Sequence, residues 1–143
     1  MITNGCGTTT SAQAILTLNP GHNLTMNQPF GPLSLFIQHS SPTQPGAYYL
    51  TTFSFDSQNV SNPGAGPWAG MFVPFSEIVN QFLFNFPPFV GILDGSGIAT
   101  FQLASGQLPL ALFGVPVCAV SMTFNPSPIG LINNSNLQLI TIQ

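Results

Sequence analysis

Basic side chains are missing altogether. The 143-residue chain has no Lys and no Arg, and its acids are Asp56, Glu77 and Asp94. Charged residues make up 2% of the sequence, where about 25% is usual for a soluble domain. Without cations there is no phosphate clamp, no P-loop or Schiff-base lysine and no arginine finger. Nor is there a basic footprint for nucleic acid, so none is expected as a partner. Cysteine is scarce, with Cys6 and Cys118 far apart in the chain. A membrane span is also lacking. The stretch from Phe101 to Phe124 is uncharged, but Gly106, Pro109, Gly114 and Pro116 interrupt it and no Lys or Arg flanks it. The opening Met1-Ile-Thr-Asn-Gly has neither the basic nor the apolar region of a signal peptide.

What is present is apolar and amide-rich. Hydrophobic residues are 44% of the chain, with 13 Phe, which is ample for one buried core and argues against disorder. The polar surface falls to Asn, Gln, Ser and Thr, 47 residues in all and a third of the chain. The length suits a single domain over 1–143.

Alternation of period two dominates the pattern. It predicts strands over Gln13–Asn19, Leu33–Ser40, Ala47–Asp56, Gly97–Leu103, Val117–Phe124 and Leu137–Gln143, with weaker ones at Asn23–Met26, Gly70–Val73 and Phe89–Leu93. On the strand over Ala47–Asp56, Tyr49, Thr51, Phe53 and Phe55 share a face. On that over Val117–Phe124, Cys118, Val120, Met122 and Phe124 are expected inward, with Ala119, Ser121 and Thr123 outward. Pro/Gly/Asn breaks separate these runs, including Asp94-Gly-Ser-Gly, Asn125-Pro-Ser-Pro and Asn133-Asn-Ser-Asn. The expected fold is all-β, an antiparallel β-sandwich of jelly-roll or Ig-like type with about eight or nine strands. One short helical turn is expected near 75–84, with Ser76 as its cap and Ile78, Val79 and Phe82 on one side.

The tail carries a resemblance. Leu-Asp-Gly-Ser-Gly-Ile-Ala-Thr-Phe at 93–101 is followed by Val-Cys-Ala-Val-Ser-Met-Thr-Phe-Asn-Pro at 117–126. Ser-Asn-Leu-Gln-Leu-Ile-Thr-Ile then closes at 135–142, and Asn4-Gly-Cys-Gly stands near the start. These segments resemble the secreted β-sandwich domain at the C-termini of large extracellular proteins of planctomycete-type bacteria. The last 50 or so residues match best. The resemblance implies a β-sandwich and an extracellular setting, and it supplies no catalytic residues. In that family the second Cys precedes the D-x-x-G hairpin, whereas here Cys118 lies in a later strand.

Chemistry-bearing constellations are sparse. His22 and His39 would need a Ser and an acid for a nucleophilic triad, and no G-x-S-x-G occurs. Asp56, Glu77 and Asp94 fall at a strand end, in the helical turn and in a hairpin turn, without the pairing glycoside hydrolysis needs. No metal-ligand spacing is present, and no catalytic residue, metal or cofactor is expected. Asp94 is read as a turn former bonding its own backbone. Cys6 and Cys118 are read as one disulfide in an oxidising compartment, the alternative being two buried thiols.

The functional expectation is a secreted, extracellular, non-enzymatic structural subunit that assembles with copies of itself into a fibre or other polymer. Uncharged edge strands lack the Lys gatekeepers that block strand addition. Candidate subunit contacts are Phe82, Phe84, Phe86 and Phe89 in one apolar run, and Leu137, Leu139, Ile140 and Ile142 in the last strand. The alternative is a monomeric carbohydrate- or surface-binding module, with Trp68, Tyr48, Tyr49 and Phe36 as an aromatic platform for a glycan.

Overall fold

A computed structural model describes residues 21–55, 71, 73–126 and 129–143. The expected strand over 13–19, along with Cys6, Asp56 and Trp68, lies outside the described residues. The fold is an all-β sandwich of two antiparallel sheets. Its strands are β1 (Asn23–Asn27), β2 (Leu35–Ser40), β3 (Tyr48–Ser54), β4 (Val90–Ile92), β5 (Ile98–Leu103), β6 (Pro116–Pro126), β7 (Ile129–Asn134) and β8 (Gln138–Thr141). One sheet runs β1-β2-β5. The other runs β4-β3-β6, with β7 and β8 both on the far side of β6.

Alternation set these strands as expected apart from β7, with one reversal of face. Tyr49, Thr51 and Phe53 of β3 pair with Thr123, Ser121 and Ala119 of β6, and this face looks into the sandwich. There Val117 and Ala119 pack on Leu24, Met26 and Ile37 of the opposite sheet. Ser121 and Thr123, expected outside, are therefore interior and fully buried. Cys118 and Val120 are buried too, but on the other face, beneath Met71, Val73 and Leu137. Both faces of β6 are covered, so hydrophobicity alone does not say which is inner.

β7 was not anticipated, because Asn133-Asn134 reads as a break. It pairs with Met122–Pro126, and β8 pairs with Pro116–Ala119, so the two lie end to end along β6. Ser135 bridges their gap: its N–H donates to the Ser121 carbonyl (2.7 Å) and its Oγ accepts the Ser121 N–H (2.8 Å). Gly70–Val73 gives no strand among the described residues, only an isolated bridge at Met71.

Helix α1 (Phe75–Leu83) appears where expected, but Pro74 and not Ser76 precedes it, and no side chain caps it. It buries Ile78 and Gln81, while Val79 and Phe82 face solvent. Asp94 makes the expected turn, its Oδ1 accepting the N–H groups of Ser96 (2.8 Å) and Ile98 (2.9 Å).

Amides take the place of ions at the sheet margins. The β1 edge is laced by Asn136, whose Oδ1 accepts the Leu24 N–H (2.8 Å) and whose Nδ2 donates to the Leu24 carbonyl (3.0 Å). Gln138 accepts from the Met26 N–H. β3 outruns its short partner β4, which reaches only Leu50. At Phe53 the side chain of Gln81 takes over, accepting the N–H (2.7 Å) and donating to the carbonyl (2.8 Å).

Candidate functional site

The interior changes character along the strands. At one end it is polar: His22, His39, Thr51, Ser121 and Thr123 are all fully buried. His39 stacks on Tyr49 with ring centroids 4.0 Å apart, and His22 lies parallel to His39 at 5.6 Å. Hydroxyls continue the line, with His39 Nε2 3.4 Å from Thr51 Oγ1 and Thr51 donating to Ser121 (3.3 Å). Ser121 in turn reaches the Leu50 carbonyl (3.3 Å). Because each hydroxyl passes its proton onward, His39 donates from Nε2 and its Nδ1 carries the lone pair. Among the described residues, that Nδ1 and both nitrogens of His22 meet no hydrogen-bond partner.

Burial disfavours the charged imidazolium, so His22 is held down at about 4. His39 is held at about 3, by burial first and by His22 beside it second. Burial likewise raises the Tyr49 phenol. Among the described residues no carboxylate joins this stack, because Glu77 sits on α1 and Asp94 in the β4–β5 turn. Among the described residues no three His, Cys, Asp or Glu side chains gather as a metal site. The histidines and Tyr49 pack together as a neutral core layer.

At the other end the sheets open into an apolar cleft of about 660 Å³. Its floor is core: Leu35, Phe53, Phe101, Val117 and Ile142. Its rim is exposed, formed by Phe55, Glu77, Phe84 and Phe86. The chain builds this mouth because α1 and the Phe84–Phe89 segment stand over Phe53, fixed by the Gln81 amide and by edge contact of Phe89 with Phe53. Phe84, Phe86 and Phe89 contact one another, with centroids 4.9 to 5.8 Å apart. Among the described lining side chains, Glu77 and Gln81 are the polar ones. Sequence reading placed the Phe run at a surface but not the cleft, which is closed by Leu103, Leu108 and Leu112 from distant segments.

The expected contact residues divide. Phe82, Phe84 and Phe86 are exposed, together with Phe75 and Leu83, while Phe89 is half-buried in the cleft. In the last strand Leu139 is 49% exposed, but Ile142 is 2% exposed and belongs with Ile140 to the chain's own core. One face of β8 is thus satisfied internally, against the expectation that it needs a neighbour. Leu137 packs beside Cys118 and Val120. Of the proposed disulfide, Cys6 lies outside the described residues, and Cys118 Sγ sits 3.2 Å from the Ser54 carbonyl oxygen. No disulfide occurs among the described residues. Of the aromatic platform, Tyr49 is buried in the histidine stack, while Tyr48 packs on Phe124 and Phe36 on Phe30.

Comparison with family models, curated proteins and solved structures returns no match. No helix among the described residues is long and apolar enough to cross a membrane.

Proposed function

We propose that the chain is a non-enzymatic structural subunit that associates with copies of itself into an extracellular fibre or other polymer. The observation that carries this reading is the exposed apolar face along α1 and the turn after it. Phe75 is 75% exposed and Leu83 70%, with Phe82, Phe84 and Phe86 beside them. Helical spacing places Phe75, Val79 and Phe82 in one row, so they form a patch and not scattered points.

A second copy is the occupant that the charge pattern favours. With a formal charge of −3 on 143 residues, copies repel weakly, and few ions stand to be desolvated on association. Among the described residues, strands β4 and β5 end their sheets, and neither carries a charged residue. They therefore lack the usual barrier to strand addition, whereas β1 is closed by the Asn136 and Gln138 amides. The two-cysteine, cation-free composition and the resemblance of the tail to a secreted bacterial domain support an extracellular setting.

Sedimentation of the purified chain across protein and salt concentration tests the proposal. Assemblies that grow with protein concentration and hardly respond to salt are expected, because few charges are present to screen. Phe82→Ser with Leu83→Ser should return monomers of unchanged fold. A wild-type chain that stays monomeric at high concentration overturns the reading and leaves a monomeric binding module in its place.

A further inference from the structure

The cleft between the sheets has the size and lining of a ligand site, and its chemistry restricts what can enter. At about 660 Å³ it falls within the range of small-molecule pockets. Among the described residues its walls are Leu, Ile, Val, Phe and Pro side chains apart from Glu77 and Gln81. The Gln81 amide is spent: Oε1 on the Phe53 N–H, Nε2 on the Phe53 carbonyl and on Glu77 Oε1 (3.3 Å). Among the described residues that leaves the Glu77 carboxylate at the rim as the group able to meet a polar head, and it can only accept. No Lys or Arg exists anywhere in the chain to neutralise an acidic head.

We propose that this cleft binds an amphiphile with a hydrocarbon body and a hydrogen-bond-donating head, an alkyl amine or alcohol. The hydrocarbon lies on Leu35, Phe53, Phe101 and Val117, and the head meets Glu77. A carboxylate or phosphate head is rejected, since it would face Glu77 with no cation between them. Burial of the hydrocarbon against an apolar wall supplies affinity, and the Glu77 charge at the rim supplies selection. The site stands independently of self-association, although Phe84 and Phe86 belong to both the rim and the exposed face.

Titration of the whole chain with decylamine, decanol and decanoate at neutral pH tests it. Calorimetry is run at a concentration where sedimentation finds the protein dispersed, so neither result depends on assembly. Decylamine should bind at least about tenfold tighter than decanoate, with decanol between them. Glu77→Gln should bring the amine and the carboxylate to within about threefold while leaving decanol unchanged. Leu108→Trp, which fills the cleft from one wall, should weaken all three about tenfold in a chain whose circular dichroism is unaltered. Decanoate binding as tightly as decylamine overturns the proposal, as does a Glu77→Gln chain that keeps the preference. Absence of saturable binding by all three overturns it equally.

Discussion

Gln81 holds Phe53 by both halves of one carboxamide, accepting its N–H at 2.7 Å and donating to its carbonyl at 2.8 Å. A side chain on α1 thereby does what a neighbouring strand would do, at the point where β4 has ended and β3 continues. It also fixes the helix over the cleft, so the rim of the site depends on this one amide.

Gln81→Met keeps the side-chain length and removes both bonds, leaving the Phe53 backbone groups unpaired. A loss of about 2–3 kcal/mol in urea unfolding is expected. Gln81→Glu keeps the acceptor, loses the donor and sets a second carboxylate against Glu77. It should therefore destabilise at neutral pH, and by less as added salt screens the two charges.

Stability should fall with acid through the histidine stack. Unfolded imidazoles titrate near 6.5, whereas His22 and His39 in the fold titrate at about 4 and about 3. Between those values the unfolded chain binds more protons, so stability present above about pH 6.5 is lost as pH drops and levels off below about 3. The combined loss is on the order of several kcal/mol. Urea midpoints measured from pH 7.5 to 4 give the slope, and His22→Phe, which preserves the stacking partner of His39, should roughly halve it.

Alternation made β2, β3 and β5 legible as strands, because Phe53 stands between Thr52 and Ser54 and Phe101 between Thr100 and Gln102. β6 misled for a physical reason. Its apolar Cys118 and Val120 serve a second layer under Met71, while Ser121 and Thr123 line a polar interior where hydroxyls find partners in Thr51 and Gln44. β7 was hidden by asparagines that signal a turn but here lie in a paired strand. The cleft could not be read at all, since Phe53, Leu103, Leu112 and Ile142 meet only through tertiary folding.

Two glycines with the same backbone conformation should respond differently to Ala. Gly97 and Gly106 both have φ of +74°, but a Cβ on Gly97 would strike the Ser41 carbonyl, while one on Gly106 meets open space. Gly106→Ala should cost about 1–2 kcal/mol from conformation alone. Gly97→Ala should cost more, because the Ser41 N–H bond to the Gly97 carbonyl (2.8 Å) ties the two segments together and cannot be kept without movement. Thermal unfolding of the pair separates the steric from the conformational part.

Asn136→Asp preserves the acceptor for the Leu24 N–H and abolishes the donor to the Leu24 carbonyl. A loss of about 1 kcal/mol is expected, together with faster hydrogen exchange at the amides of β1 and none at those of β3.

A fold whose margins are tied by carboxamides has a chemical lifetime. Ion pairs respond to salt and recover when it is removed, but hydrolysis of an amide to an acid does not reverse, and Asn and Gln are the heat-labile polar residues. Each such event at Asn136 or Gln81 removes a donor from the seam and adds a negative charge to a chain with no positive one to offset it. Age, and not ionic strength, is then the variable that loosens the sandwich, and it does so from the β1 edge and the mouth of the cleft inward.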